Sequence, residues 1–388
     1  MKLVPRAAAA QVAQYREILP AVAVLGPRQC GKSTLVKMLQ EEWRDFVYLD
    51  LQDPQDLNKL SEPQLFFQAN LNKIICLDEI QLVPQLFSVL RSEIDKKRVN
   101  GRFMLLGSAS RDLIQKSSET LAGRIGFINL SPFTAAELQS AHCFELRKYW
   151  FRGGFPESYL AQSDDISVVW REQFIRSFVE RDVPQLGFQI PAQQLRRFIT
   201  MCAHAQGQIL NYSKLAESMS LTHPTARRYI DLLEQTFLVR TLMPFEANTK
   251  KRLVKSPKVY VRDCGLLNQL LALEDFNDLM GHPVFGASWE GLVVENVLTH
   301  TKGWNAFFYR SSGGDEIDLI LQKGKRFIAI ECKASAAPKL TKGFWRALEV
   351  VKPEKTFVVA PIQDAPYQIS KDIWVCSLTD VLDKLAGE

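Results

Sequence analysis

A phosphate-binding loop is the clearest chemical feature of this 388-residue sequence. Residues Gly26-Pro27-Arg28-Gln29-Cys30-Gly31-Lys32-Ser33, followed by Thr34, fit the P-loop pattern G-x-x-x-x-G-K-[ST]. Glycines at both ends let the backbone curl, so that its N–H groups point at phosphates with a helix N-terminus behind them. Lys32 is expected to reach the β- and γ-phosphates, and Ser33 to hold Mg²⁺. The sequence therefore predicts a site for ATP with Mg²⁺ at residues 26–34.

A second acidic element supports hydrolysis as well as binding. Residues 74–77 are apolar and lead directly into Asp78 and Glu79. Asp78 is expected to support Mg²⁺, and Glu79 to polarise the attacking water. Ser108 follows the next predicted strand at the same edge of the sheet, where a polar residue commonly senses the γ-phosphate in AAA-type ATPases. An ordinary strand-end cap is the alternative for Ser108.

One arginine is a candidate for stabilising the charge of the transition state. Arg124 stands just before an apolar strand, and it would act in its own subunit or reach into a neighbour. Arg111 is the competing candidate, and a structural role is the alternative for both. Because Arg124 has no obvious partner in its own segment, we expect a homo-oligomer, such as a closed ring of about six subunits.

Short apolar runs alternate with helical stretches in the first third of the chain. Continuous apolar strands of this kind indicate an α/β fold with a parallel sheet covered on both faces. The predicted strands are Ala21–Leu25, Phe46–Asp50, Lys73–Asp78 and Arg102–Gly107, with a helix at Lys32–Glu42. These strands place the P-loop and the acidic pair at one edge.

The middle of the chain carries most of its positive charge. Residues 196–262 contain twelve Lys or Arg and four Asp or Glu, a net +8 in a chain of net +5. Ser213 and Thr222 are expected to cap two successive helices, and an alternating stretch over 238–261 predicts a two-stranded wing. This pattern favours a winged helix that binds DNA, and the alternative is a protein contact or ATPase lid. The candidate DNA-binding residues are Arg227, Arg228, Lys250, Lys251, Arg252, Lys255 and Lys258.

Nearly the whole chain resembles a widespread bacterial and archaeal ATPase family, in which an AAA-type domain precedes a C-terminal region of unknown function. The matching segments are Gly26–Thr34, Leu77–Gln81, Leu106–Ser110, Ala122–Ile125, Gly153–Pro156, Phe178–Asp182 and Glu316–Lys333. The combination is specific. Membership of this family does not supply a biological process.

The end of the chain resembles the restriction-endonuclease-like fold, whose signature is an Asp, then Glu-x-Lys, with a helical Glu in front. Asp318, Glu331 and Lys333 match this signature, and Glu295 is preferred to Glu290 as the helical acid. The resemblance implies that Asp318 and Glu331 hold Mg²⁺ or Mn²⁺, and that Lys333 stabilises charge on a scissile phosphate. A tight turn within residues 322–326 would pair the two strands. Chance spacing, or a scaffold without activity, is the alternative.

Length, cysteine usage and hydropathy narrow the class of protein. The chain is too long for one core, so we predict an ATPase core over 1–135, a helical lid over 136–190, a winged helix over 191–275 and a nuclease-like domain over 276–388. Seven scattered cysteines without Cys-x-x-Cys are typical of reduced thiols in a cytoplasmic protein. Membrane association is not expected, because no apolar run approaches about 20 residues and the N-terminus lacks a signal peptide.

Two hypotheses follow from these features. The first is an ATP-hydrolysing AAA-type protein that acts on DNA and couples hydrolysis to metal-dependent cleavage by its C-terminal domain. The second is an ATPase switch that binds DNA or a partner protein through an inactive nuclease-like domain.

Overall fold

The computed structural model describes residues 3–41, 43, 45–108, 121–246 and 254–387. Two compact units are present. The first comprises Met1–Phe133, Glu180–Ile190 and Asp231–Leu238, and the second comprises Thr134–Val179, Pro191–Ile230 and Val239–Glu388. Sequence analysis predicts four domains instead, and their boundaries remain a prediction.

The first unit is built on a five-stranded parallel sheet. Its strands are β1 (Ala21–Leu25), β2 (Phe46–Asp50), β3 (Ile74–Asp78), β4 (Phe103–Gly107) and β5 (Ile125–Asn129). They lie side by side in the order β2-β3-β4-β1-β5. Every residue of β1 and β4 is buried, because helices cover both faces of a parallel sheet. All five strands end at the same edge, as the sequence analysis requires of the candidate site.

The second unit is built on a mixed sheet of eight strands. These are β6 (Val239–Pro244), β7 (Lys258–Val261), β8 (Asn305–Arg310), β9 (Glu316–Lys323), β10 (Arg326–Cys332), β11 (Lys355–Val359), β12 (Tyr367–Ser370) and β13 (Ile373–Cys376). Their order is β12-β13-β11-β10-β9-β8-β6-β7. The predicted tight turn is present, since Lys323 pairs with Arg326 and leaves a two-residue loop that contains Gly324 at φ 63°.

The predicted wing is not a separate hairpin. β6 and β7 pair antiparallel with each other, and β6 also pairs in parallel with β8. The two strands therefore form one edge of the large sheet, which places β7 in the same sheet as the C-terminal strands.

Helices surround both sheets. The described residues form α-helices at Ala8–Ile18, Lys32–Gln40, Pro54–Lys59, Pro63–Ala69, Leu86–Lys96, Ala135–Ser140, Leu146–Arg152, Pro156–Tyr159, Asp164–Ser177, Val183–Gln185, Ala192–His204, Tyr212–Ser218, His223–Gln235, Cys264–Leu270, Phe276–Gly281, Phe285–His300, Lys342–Val351 and Leu378–Leu385. A 3₁₀ turn lies at Ile80–Leu82 and a π-helical turn at Phe178–Asp182. Within the described ranges, no helix combines the length and apolar character needed to cross a bilayer.

Candidate functional site

Two glycines shape the predicted phosphate-binding loop. A Cβ on Gly26 would lie 2.1 Å from the carbonyl oxygen of Leu130, so no larger residue fits at the end of β1. Gly31 has φ 99°, a left-handed conformation that glycine adopts without strain, and it directly precedes the helix Lys32–Gln40. The loop therefore leads from the buried strand into a helix N-terminus, the arrangement that binds phosphate.

The side chain of Lys32 contacts the backbone of its own P-loop. Its side chain is buried, and Nζ donates hydrogen bonds to the carbonyl oxygens of Gly26 and Pro27, both at 3.0 Å. These carbonyl oxygens are neutral acceptors, so a phosphate that enters the loop would bind the ammonium more strongly than they do.

The two residues expected to hold Mg²⁺ are in direct contact. Ser33 Oγ donates to Asp78 Oδ2 at 2.7 Å, and the hydroxyl of Tyr48 donates to the same oxygen. The other carboxylate oxygen of Asp78 accepts from the backbone N–H of Glu79 at 2.9 Å. Burial and the bond to Asp78 raise the pKa of Tyr48 above its ordinary value, so this tyrosine stays a donor. A hydroxyl and a carboxylate are the oxygen donors that Mg²⁺ prefers, and the residues fit this ion.

A glutamine connects the predicted catalytic acid to the predicted sensor. Gln81 Nε2 donates to a carboxylate oxygen of Glu79 and, at 2.9 Å, to Ser108 Oγ. Glu79 itself has φ 56°, an uncommon backbone conformation for a residue other than glycine. Sequence analysis missed the role of Gln81, although it lies in the segment Leu77–Gln81 that matched the ATPase family.

Arg28 links the loop to a distant part of the first unit. Its guanidinium forms a salt bridge with Asp182, donates to Gln185 Oε1 at 2.7 Å, and lies 3.9 Å from Glu79 Oε1. Burial raises the pKa of Asp182, whereas Arg28 and Arg181 lower it. The segment Glu180–Ile190 therefore approaches the nucleotide loop through one ion pair, which the motif did not predict.

Arg124 lies away from the loop of its own chain. It directly precedes β5, and its carbonyl accepts from the N–H of Ala21 at the beginning of β1. The P-loop follows the other end of β1, so a role for Arg124 at its own P-loop is wrong. Arg124 Nε also contacts Asp95 Oδ1 at 2.6 Å, which supplies the partner that its sequence segment lacks. The competing Arg111 lies outside the described residues.

The second unit contains a buried cluster of acids around a lysine. Lys258 Nζ contacts Glu290 Oε1 and Glu316 Oε1, both at 2.8 Å, and lies 3.5 Å from Asp318 Oδ1. Burial alone lowers the pKa of Lys258, but the three carboxylates raise it well above its ordinary value. Sequence analysis predicts Lys258 near an exposed wing tip for DNA; this is wrong, because the side chain is 1% exposed within the sheet.

The three signature residues lie together beside Lys258. Asp318 Oδ2 accepts from the backbone N–H of Cys332 at 2.9 Å, which fixes it next to β10. Lys333 Nζ donates to Glu331 Oε1 at 2.7 Å, whereas Glu331 Oε2 is buried without a hydrogen-bond partner. Burial and the charge of Asp318 raise the pKa of Glu331 to about 8. Burial lowers the pKa of Lys333, but Glu331 raises it overall.

The helical acid in this cluster is Glu290, and the preference for Glu295 is wrong. Glu295 follows Glu290 by five positions, which places the two acids about 140° apart around the helix axis. Glu290 accepts from Tyr260 Oη at 2.6 Å as well as from Lys258, and burial raises its pKa to about 7. Glu295 instead contacts Arg240 and Arg262, at 2.7 Å in each case. Although burial favours its neutral form, the two guanidinium groups lower the pKa of Glu295 to about 2.

The acidic cluster does not fit a metal ion as it stands. Three of its carboxylates already contact the ammonium of Lys258. In the part of the chain that the structure describes, no group of three or more His, Cys, Asp or Glu is arranged to hold a metal ion. The predicted role of Asp318 and Glu331 as ligands of Mg²⁺ or Mn²⁺ therefore lacks support from the geometry.

The basic block forms a helix–turn–helix with exposed arginines. The helix His223–Gln235 follows Tyr212–Ser218, and Thr222 Oγ1 accepts from the N–H of Thr225, as predicted for a cap. Asn211, rather than the predicted Ser213, caps the first helix. Three of the candidate DNA-binding residues are exposed: Arg227, Arg228 and Lys255. Lys250, Lys251 and Arg252 lie outside the described residues.

Comparison with known families divides the chain into three regions. Residues 19–139 match an AAA domain family, residues 143–277 a domain of unknown function (DUF8612) and residues 285–381 another domain of unknown function (DUF4143).

Comparison with known proteins identifies relatives that align with most of the chain. The uncharacterized protein Rv2008c of Mycobacterium tuberculosis is 38% identical over 356 residues, covering 92% of this chain and 80% of the relative. An uncharacterized protein of Haemophilus influenzae is 23% identical, covering 69% of this chain and 73% of the relative.

Two solved structures align with parts of the chain. The Walker-type ATPase PABY2304 of Pyrococcus abyssi is 13% identical with a TM-score of 0.43, covering 69% of this chain and 96% of that protein. AMPPCP-bound DnaA from Aquifex aeolicus is 12% identical with a TM-score of 0.32, covering 60% and 89%. Similarities this low do not establish a shared overall fold. On the strength of the sequence relatives, the chain belongs to the family of Rv2008c, and its N-terminal part is an AAA-type P-loop ATPase domain.

Proposed function

We propose that this protein is an ATP-driven switch that hydrolyses ATP at its P-loop and uses its C-terminal half to bind DNA. The observation that carries the hydrolysis is the contact of Ser33 with Asp78 at 2.7 Å, directly beside Glu79. The donors expected from the P-loop and from the acidic strand thus form one site.

Each side chain has a separate task in this proposal. Lys32 exchanges its bonds to loop carbonyls for bonds to phosphate oxygens, which are charged and bind an ammonium more strongly. Ser33 and Asp78 would hold Mg²⁺, which neutralises phosphate charge when it is bound. Glu79 orients a water molecule for attack, and Gln81 holds the carboxylate of Glu79 and the hydroxyl of Ser108 in register.

The test separates nucleotide binding from turnover. Glu79→Gln should bind ATP as tightly as the wild type and hydrolyse it about 10²-fold more slowly, because the amide does not accept a proton. Lys32→Ala should lose binding of a fluorescent ATP analogue. Wild-type turnover in Glu79→Gln would show that another group activates the water.

DNA binding is the second part of the proposal. The exposed arginines at 227 and 228 lie on the second helix of a helix–turn–helix, the element that enters the major groove in related architectures. The net charge of +8 over 196–262 supplies attraction to phosphates in addition. A partner protein with an acidic surface is the alternative ligand for the same helix.

Metal-dependent DNA cleavage is the competing proposal for the C-terminal half. The observation in its favour is that Asp318 and Glu331 lie on paired strands with Lys333 beside them. Labelled DNA incubated with Mg²⁺ or Mn²⁺ should then be cut, and EDTA, Asp318→Ala and Lys333→Ala should each abolish the cut. We expect the protein to bind DNA without cleaving it. Cleavage that is abolished by EDTA and by both substitutions would show that the protein is a nuclease and not a switch.

A further inference from the structure

The buried ammonium of Lys258 comes from a strand that is far in sequence from the acids it contacts. Lys258 begins β7, whereas Glu290 lies on the helix Phe285–His300, and Glu316 and Asp318 lie on β9. The lysine side chain is 1% exposed, and all three carboxylates lie within 3.5 Å of Nζ. A buried ammonium is tolerated only when it is paired in this way.

The charges of the cluster come from β7, β8, β9, the end of β10 and the helix Phe285–His300. The acids are Glu290, Glu316, Asp318 and Glu331, and the cations in contact with them are Lys258, Lys333 and Arg310, the last at 3.7 Å from Glu316. Lys258 is the cation that contacts three of the four acids. One oxygen is still unsatisfied, because Glu331 Oε2 is buried and has no hydrogen-bond partner.

We propose that Lys258 serves as the permanent cation of this cluster in place of a metal ion, and that removal of its ammonium opens a divalent-cation site formed by the three acids it contacts, Glu290, Glu316 and Asp318. Acids at this spacing need a cation, since unneutralised carboxylates repel one another. Carboxylate oxygens also suit Mg²⁺ and Mn²⁺ when no ammonium lies between them. The inference goes beyond the proposed switch and does not depend on ATP hydrolysis.

The test measures binding of Mn²⁺ to the full chain without nucleotide. Asp78→Asn is included in every sample so that the P-loop site does not contribute. Free Mn²⁺ is followed by electron paramagnetic resonance during a titration. Lys258→Met keeps the length of the side chain without its charge, and it should bind one Mn²⁺ at the cluster at least about tenfold more tightly than the parent binds Mn²⁺ at any other site. Adding Asp318→Asn to Lys258→Met should remove that gain.

A matched control excludes a general effect of charge. Lys325→Met removes the same charge from an exposed position on the β9–β10 turn, and it should leave Mn²⁺ binding unchanged. A folded Lys258→Met protein without any gain in Mn²⁺ affinity would overturn the proposal.

The parent protein provides a second measurement that does not depend on the folding of Lys258→Met. If Lys258 occupies the place of a metal, the Asp78→Asn parent should show no Mn²⁺ binding that Asp318→Asn removes. Binding of that kind would overturn the proposal, because it would show that a metal enters the cluster beside Lys258.

Discussion

Arg28 is the P-loop residue whose side chain reaches furthest along the sequence, to Asp182 and Gln185. Asp182 is largely buried, so removal of Arg28 leaves a carboxylate in a poorly hydrated place with only the more exposed Arg181 nearby. We expect Arg28→Ala to lower the free energy of unfolding by about 3 kcal/mol.

Arg181→Ala is the matched comparison for that measurement. Arg181 contacts the same carboxylate at 3.2 Å, but its side chain is 57% exposed, and the expected loss is below about 1 kcal/mol. Urea denaturation of both variants measures the two losses. Equal losses would contradict a special role of Arg28 in holding the segment Glu180–Ile190.

Glu295 provides a pH-dependent prediction. Its pKa in the folded chain is about 2, below the ordinary 4.5, because Arg240 and Arg262 stabilise the charged form. Stability from this acid is therefore fully present above pH 4.5 and is lost as the pH falls towards 2. Glu295→Gln should lower the free energy of unfolding by about 3 kcal/mol at pH 7 and less at lower pH.

The control for this prediction is Glu172, which forms a similar double contact with Arg196 at 2.6 and 2.7 Å on a more exposed surface. Glu172→Gln should cost less than about 1 kcal/mol at pH 7. Denaturant unfolding between pH 3 and pH 7 measures both variants. A difference between Glu295→Gln and wild type that does not shrink with falling pH would refute the assignment.

The predicted site residues that the structure brings into contact are those set by local spacing. Ser33 and Asp78 belong to two recognisable motifs, and a parallel sheet brings them to one edge. Lys258 was misplaced because its partners lie 32 to 60 residues further on, and neither turn chemistry nor periodicity reports such a distance. The sequence does not favour Glu290 over Glu295, because the helix Phe285–His300 has buried residues around most of its circumference. No polar face therefore indicates which of the two acids points toward the sheet.

At the scale of elements, the first strands of the parallel sheet were predictable, and the neighbours of strands in the large sheet were not. Predicted strands such as Ala21–Leu25 and Phe46–Asp50 agree with β1 and β2 to the residue, because continuous apolar runs mark buried strands. The pairing of β6 with β8 joins residues about sixty positions apart, and among the described residues its register pairs are Met243–Phe307 and Pro244–Phe308. Such short contacts leave no pattern in the sequence.

The helix His223–Gln235 carries the prediction for DNA. Replacing Arg227 and Arg228 together by Ala should weaken binding to duplex DNA. It should also make the plot of the log association constant against log salt concentration less steep by about 2, roughly one unit per lost phosphate contact. Fluorescence anisotropy at several salt concentrations measures both quantities.

A double variant outside the basic block serves as the control. Lys339 and Lys342 are exposed lysines of the second unit, and their replacement by Ala should leave the salt slope unchanged. If replacement of Arg227 and Arg228 also leaves affinity and slope unchanged, the helix does not bind DNA and a partner protein is its ligand instead.

At the scale of the whole molecule, the position of Arg124 argues for assembly. Arg124 lies at the edge opposite to its own P-loop, so a finger role would place it at the nucleotide of a neighbouring subunit, and its salt bridge with Asp95 would have to open. We expect ATP to promote a homo-oligomer, and turnover per chain to rise with protein concentration, as measured by light scattering and steady-state assays. Arg124→Ala should lower turnover and leave nucleotide binding intact. A monomer with full activity at every concentration would exclude this arrangement.

The eight-stranded sheet has a consequence for how this region is inherited. β6 and β7 lie in the matched region 143–277, whereas the other six strands lie in or near 285–381. A fragment beginning at residue 285 would expose the edge of β8 and leave Glu290 and Asp318 without the lysine that they contact. Strands of the two regions of unknown function share one sheet, and the seam between the regions runs between β6 and β8. Recombination at that seam would separate a charge from its counter-charges, so we expect lineages of this family to keep or lose both regions together.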